Sequence, residues 1–364
     1  MYSAQFYSYI YLLIVSIPTL LCAVDYFARD AAWEGEPYKP RNLTLLLVVC
    51  LVLFIGLRPV GADLFGDSAS YLFFYEGKYK DVPFEFDWEG NLIFDNLLIF
   101  FGAYDLGIHS FFLLCAALYF GTAYVGIKRL FPNHLLAVYL VFLAAFSTFS
   151  YGTNGIKAGI AASFFIMAVS YYKQWKLCIP LVLLSYGFHH AMRVPIAAYF
   201  LTLIFKNPKL YFLGWLVCLL IVVGHITYIQ TLIAKVTGSA GEDYLSGMRV
   251  YDNPTDRGGF RADFIVYSLP PIWVGYIAIF KRKVTSVIYT QLLCIYLTTN
   301  ALWLVCMHAL FSNRIAYLSW FLYPVVLVYP FLLPEYGEKR YQNFTLVMLA
   351  HLGFTVFMSL FYYA

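Results

Sequence analysis

Four short stretches of the chain group residues able to grip an anion and move a proton. GLRPVGADLFGDSASYLFFYE at 56–76 carries Arg58, Asp63, Asp67 and Tyr71, with Gly56, Gly61 and Gly66 allowing a tight path. GTNGIKAGIAASF at 152–164 sets Asn154 and Lys157 three residues apart, which predicts one shared helical face. GFHHAMRVP at 187–195 groups His189, His190 and Arg193. MHALFSNRIAYLSW at 307–320 adds His308, Asn313, Arg314 and Tyr317, with Arg314 and Tyr317 again three apart. Arg and Lys bind phosphate or pyrophosphate through charge-assisted hydrogen bonds, and Arg can do so bidentately. Asp or His can take a proton from an attacking hydroxyl. The four clusters together predict a site for a polyanion that also carries hydroxyl groups.

A fifth stretch, GSAGEDYLSGMRVYDNPTDRGGFRAD at 238–263, mixes acids, arginines and turn residues. It reads either as a solvated loop or as a lid over a cavity, and Arg257 and Arg261 lie nearest the next apolar run. Tyr71, Phe73, Phe74, Tyr75 and Tyr79 can stack on sugars, although an interfacial aromatic belt is the commoner reason for such residues. No HExxH, Walker loop, GxSxG or usable GxGxxG occurs, so zincin, NTPase and hydrolase chemistry drop out. His189–His190 with Arg193 matches no zinc-ligand spacing, and none of the seven cysteines forms a CxxC pair, so no metal and no cofactor is expected.

The elements that must position these residues are membrane helices. Of the 364 residues, 62% are hydrophobic and only 12% charged, and the mean hydropathy is +0.72. A soluble domain carries about twice that charged fraction, so cytosolic enzymes, disulfide scaffolds, disordered tails and nucleic-acid binders are excluded. Apolar runs predict spans at 5–24, 42–57, 108–127, 134–152, 155–172, 177–190, 194–205, 210–229, 264–280, 284–305, 315–334 and 343–363. This is an all-α, polytopic bundle of about twelve spans, a single membrane domain over 1–364. The sixth and seventh runs are short enough to be a hairpin or broken helices, and 91–104, which contains Asp95, reads as interfacial or re-entrant. The N-terminal run lacks a basic flank and a cleavage pattern, so it reads as a first span.

The charges then set the orientation. Fourteen of the 24 basic residues, including Lys128–Arg129, Lys206 and Lys209, and Lys281–Lys283, fall on one side of alternating loops, which the positive-inside rule makes cytoplasmic. The loops at 58–90 and 230–262 then face outward. Against that pattern, Lys157, Arg193 and Arg314 stand in short outward turns or just inside helix ends. A cation at membrane depth costs about 2.5–3.5 kcal/mol on insertion scales, so each needs a partner or a task.

In this order along the chain, the four clusters resemble the EpsG family of exopolysaccharide polymerases, relatives of the Wzy-type O-antigen polymerases. The family's Arg-x-x-Gly-x-Asp stretch reads here Arg58-Pro-Val-Gly61-Ala-Asp63, and the spacing to Tyr71 fits Asp67. Its polar entry into a middle helix corresponds to Asn154 with Lys157, its hairpin histidine to His189 or His190, and its late arginine to Arg314 with Tyr317. The chain departs from the family in having Lys157 where Arg is usual, and Arg193 where an apolar residue is usual.

The resemblance implies a GT-C-like bundle with an outward cavity in a bacterial inner membrane. It also implies glycosyl transfer on the outer face between two polyprenyl-pyrophosphate-linked glycans, one the donor and the other the acceptor. Arg58, Lys157 and Arg314 are then expected at the pyrophosphate, with Arg314 acting in the transition state. Asp67 or His189 is expected to activate the acceptor hydroxyl. Asp63, Tyr71, Asn154, His190, Arg193, Arg257, Arg261, Asn313 and Tyr317 are expected to contact substrate. Membrane lipid, a chain-length regulator and a flippase are the implied partners, and no nucleic acid is among them. Two rival readings are a transporter or flippase of lipid-linked saccharide and an acyltransferase on exported polysaccharide. The one-sided polar clusters and the lack of an inward His–Asn cluster weigh against them.

Overall fold

In hydrocarbon a backbone must satisfy its own polar groups, and apolar runs of this length do so as helices. The computed structural model, described for residues 4–29, 41–61, 65–225, 259–309 and 312–362, contains helices and no strand among those residues. Each of the twelve predicted runs contains helix. In the first part of the chain these are α1 (Ala4–Phe27), α2 (Arg41–Gly56), α5 (Ile108–Leu130), α6 (Leu135–Leu143), α7 (Thr148–Thr153), α8 (Ile156–Ser170), α9 (Trp175–Phe188), α10 (Arg193–Ile204) and α11 (Pro208–Val223). Towards the end follow α12 (Ala262–Tyr276), α13 (Val287–Val305), α14 (Ser312–Trp320), α15 (Tyr323–Val328) and α16 (Arg340–Phe357). Two further helices, α3 (Gly66–Phe74) and α4 (Phe94–Ala103), fall where the sequence reads a loop and a re-entrant segment.

Length and composition qualify fewer of these as crossings than the twelve expected. Among the described residues five helical stretches suffice alone: Phe6–Phe27, Ile108–Leu130, Ala262–Lys281, Val287–Val305 and Arg340–Phe361. The pair Ser312–Trp320 and Tyr323–Leu332, bent by 41°, makes a sixth if it is one span. The run 134–152 is split between α6 and α7, and the others are apolar helices of 10–17 residues.

The chain clusters into two compact units, Met1–Arg193 with Phe331–Ala364, and Val194–Pro330. In the first unit α5 packs on α2 and α8, α8 packs on α9, and α1 packs on α16. Glycine permits the closest of these approaches. A Cβ at Gly56 would lie 2.6 Å from Leu113 Cα, and one at Gly126 would lie 2.9 Å from Met167 N. The lipid-compatible surface is plain on α1, where Leu13, Ile17, Leu21 and Val24 are all exposed.

In the second unit α13 packs on α11 and α14, and α12 packs on α15. Three side-chain hydrogen bonds join its helices: Trp215 Nε1 donates to Asn300 Oδ1 (2.8 Å), Asn300 Nδ2 donates to Ser319 Oγ (3.1 Å), and Trp320 Nε1 donates to Ser268 Oγ (2.9 Å). Interhelical bonds of this kind join helices where lipid supplies no hydrophobic driving force.

Candidate active site

The geometry starts at α4. Its first turn carries Asp95, whose negative charge suits the positive end of the helix dipole. Asp95 Oδ2 accepts from the Asn91 backbone N–H at 2.6 Å and from Asn91 Nδ2 at 3.0 Å. Asn91 Oδ1 in turn accepts from the His190 backbone N–H at 3.0 Å, and His189 Nδ1 lies 3.4 Å from the same oxygen. A backbone N–H can only donate, so the orientation of the Asn91 amide is fixed. His189 Nδ1 must then carry its proton towards Asn91, which makes Nε2 the basic nitrogen of the neutral ring.

Main-chain contacts lock this arrangement. The Ile93 N–H donates to the Gly187 carbonyl at 2.9 Å, joining the start of α4 to the end of α9. A Cβ at Gly187 would lie 2.7 Å from Ile93 Cδ1, so the glycine lets the Ile93 side chain rest on the end of α9. Phe188 stacks on Phe164 of α8 at 5.2 Å, and Tyr186 stacks on His190 at 4.9 Å.

Lys157 is the second residue of α8, where unpaired helical N–H groups and the dipole already favour an anion. Its Nζ is 4.0 Å from Asp95 Oδ1 and 5.9 Å from the centre of the Phe94 ring, on which Tyr71 packs at 5.2 Å. The ion pair is long and the ammonium half-buried, so the charge can re-pair with an incoming anion. Asn154 does not share a helical face with Lys157. The chain breaks at Asn154–Gly155 between α7 and α8, and Asn154 Oδ1 is buried without a hydrogen-bond partner among the described residues.

Arg58 takes a different place from the one expected. It is 1% exposed, and its guanidinium donates to the Ile55 carbonyl (2.7 Å), Ser68 Oγ (2.6 Å) and the Thr153 carbonyl (2.9 Å) while lying 4.5 Å from the Phe112 ring centre. Burial lowers its pKa to about 10, which still leaves it charged at neutral pH. Both terminal guanidinium nitrogens bond to protein, tying α2 to α3 and to the turn before α8, while Nε is buried without a partner among the described residues. Asp67 is half-buried in the first turn of α3, one helical turn before Tyr71. Arg193 is exposed at the start of α10.

The remaining candidates belong to the second unit. Asn313 and Arg314 are exposed in the first turn of α14, whereas Tyr317, one turn on, is 3% exposed. Arg261 is held by Asp263, with Nε to Oδ1 at 3.0 Å and Nη2 to Oδ2 at 2.6 Å, and it stacks at 3.6 Å over Phe264. His308 lies 6.4 Å from His225, ring centre to ring centre, and burial together with the neighbouring His225 lowers its pKa. Asp63 and Arg257 lie outside the described residues.

The structure thus joins Lys157, His189 and His190 through two residues that the sequence did not single out as site residues, Asn91 and Asp95. The available signal was a single carboxylate in an apolar segment too short to cross a membrane. The sequence profile of the EpsG family matches residues 41–364. No curated protein and no solved structure matches the chain.

Proposed function

Because the chain belongs to the EpsG family, polymerase-type glycosyltransferases of exopolysaccharide, we propose that it joins polyprenyl-pyrophosphate-linked glycan repeat units on the outer face of a bacterial inner membrane. The observation that carries this reading is the chain of contacts His189–Asn91–Asp95–Lys157, which sets an oriented base beside a cation at a helix N-terminus. Lys157 and the N–H groups opening α8 hold the donor pyrophosphate. His189 Nε2 takes the proton from an acceptor hydroxyl as its oxygen attacks the donor's anomeric carbon. The bond from that carbon to the pyrophosphate breaks, and the leaving group departs with the electron pair. Its growing negative charge is met by Lys157, a type of stabilisation that is strong where water is excluded.

In this reading Arg58 positions the turn before α8, and Tyr71 supports Phe94 beneath Lys157. Asp67 is the alternative base, and Asn154 and Arg193 are further glycan contacts. Twelve crossings in a GT-C-like bundle, a flippase feeding substrate and a chain-length regulator complete the picture.

Sizing the lipid-linked glycans of cells carrying Lys157→Ala or His189→Ala tests it. Single repeat units held on the outer leaflet are expected. Accumulation on the inner leaflet would indicate a flippase instead, and full-length polymer lacking acyl groups an acyltransferase. Full-length, normally acylated polymer in both variants would overturn the site.

A further inference from the structure

Between Tyr79 and α4 the chain folds back over that helix. Asn96, 6% exposed, pins the fold-back: it accepts from the Asp87 N–H at 2.7 Å and donates to the carbonyls of Asp87 (2.7 Å) and Leu92 (3.0 Å). The fold-back encloses a cleft of about 240 Å³ lined by Lys78, Tyr79, Glu85, Phe86, Asp87 and Ile99. Phe86 is 43% exposed and packs at 4.5 Å against Trp88, itself 77% exposed. Nothing in the transfer mechanism uses these residues.

The composition of the cleft matches the chemistry of a sugar. Aromatic rings suit the apolar face of a pyranose, and carboxylates and an ammonium suit its hydroxyls. The charge balance selects against the other occupants an exposed aromatic group invites. Residues 78–89 carry Asp81, Glu85, Asp87 and Glu89 against Lys78 and Lys80, an acidic excess that disfavours phosphate and anionic lipid headgroups. The cleft also adjoins the candidate active site. A Cβ at Gly90 would lie 2.7 Å from Asp95 Oδ2 and 2.9 Å from Asp87 Oδ2, so the carboxylates of site and cleft converge on one point.

We propose that this cleft is a saccharide subsite that holds the glycan next to the sugar undergoing transfer. The placement beside the point of transfer rests on the polymerase reading above. Binding of a neutral glycan to Phe86, Glu85 and Asp87 does not.

The test uses the full-length protein in nanodiscs and oligosaccharides released by partial acid hydrolysis of the polysaccharide that the producing cell exports, with affinity measured calorimetrically. Phe86→Ala and Glu85→Gln are expected to weaken binding about tenfold or more and, in cells, to shorten the polymer without abolishing it. Asp95→Asn is expected to abolish polymer while leaving oligosaccharide affinity unchanged. Unchanged affinity in both cleft variants overturns the subsite whatever happens to the polymer. So does a result in which they alter only attachment of the fold-back to phosphatidylglycerol vesicles. If Lys157→Ala and His189→Ala leave polymerisation intact while Phe86→Ala abolishes glycan binding, the transfer site assigned above fails and the glycan site stands.

Discussion

The Asn91 amide decides how His189 can act. With its nitrogen committed to Asp95 and its oxygen to the His190 N–H, it fixes which imidazole nitrogen is basic. Removing a positioned general base costs about 10²–10⁴ in rate, so His189→Ala is expected to lower single-turnover polymerisation on that scale. Asn91→Ala is expected to lower it less and to shift its pH profile, because the ring then loses its fixed tautomer. An unchanged profile in Asn91→Ala would remove that amide from the mechanism. The sequence offered His189 and Lys157 because charged and titratable groups are conspicuous in apolar surroundings. It did not single out Asn91, whose role depends on a contact 98 residues away in the chain. A second residue-scale case lies in the turn after α4. Lys80 Nζ is 3.2 Å from Asp105 Oδ1, and Tyr75 donates to the same oxygen at 3.1 Å while accepting from the Gly107 N–H at 2.8 Å. Hydrogen bonds from Lys80 and Tyr75 hold the Asp105 carboxyl below its usual range, and the bond to Asp105 raises the Lys80 ammonium. A depressed carboxylate stabilises above its unfolded pKa, near 4, and that contribution fades as pH falls through the folded value; a raised ammonium contributes below its unfolded pKa and loses this as pH rises through its folded one. Protection factors of the 104–107 amides, taken relative to intrinsic exchange at each pH, are therefore expected to hold at neutral pH and to fall in acid below about pH 4, and Asp105→Asn should lower them at pH 7. Exchange in Asp105→Asn that matches the native chain at pH 7 would show that the pair does not hold the turn.

At the scale of elements, apolar periodicity located the helices but could not say where they break. The run 134–152 is continuous in hydropathy, yet the backbone turns between α6 and α7, and Gly155 (φ −73°, ψ 44°) separates α7 from α8. That break moves Asn154 off the face of Lys157 and places Lys157 at a helix N-terminus, where its charge reinforces the dipole. The loop 58–90 likewise hid α3, because a nine-residue helix that packs by a few aromatic contacts carries little periodic signal. Close helix approaches were equally hidden, since a glycine in a sequence does not show what faces it. Gly126→Val is expected to destabilise the first unit by about 1–3 kcal/mol through overpacking against the α8 backbone at Met167. A thermal melt in detergent matching that of the native chain would refute the tight crossing. Asn96→Ala leaves the N–H and carbonyl of Asp87 without their partner, at a cost of about 1–3 kcal/mol where such groups are buried. The expected outcome is faster proteolysis at 81–90 with the helices intact, and an unchanged cleavage rate would show that other contacts hold the fold-back.

At the scale of the whole molecule, the scarcity of charge makes each charged position informative. Basic residues close several helices at the ends that the charge rule assigns to the cytoplasm, as Lys128 and Arg129 do in the last turn of α5. The acid-rich fold-back over α4 and the Lys157 site are expected, by the same rule, on the opposite side. The proposed orientation carries a consequence for the proposed chemistry. A donor that already bears its pyrophosphate leaving group requires no nucleotide outside the cell, so Lys157, His189 and the cleft must all be reachable from that side. Trp88 is 77% exposed in the first unit, and Lys173 and Lys176 flank an exposed turn between α8 and α9. In a chain whose seven native cysteines are first replaced by Ser or Ala, Trp88→Cys in intact cells stripped of outer barriers is expected to react with a membrane-impermeant maleimide. Lys176→Cys should react only after the membrane is opened. The reverse pattern would invert the molecule, place Lys157 and His189 on the cytoplasmic face, and remove the basis for transfer on the outer one.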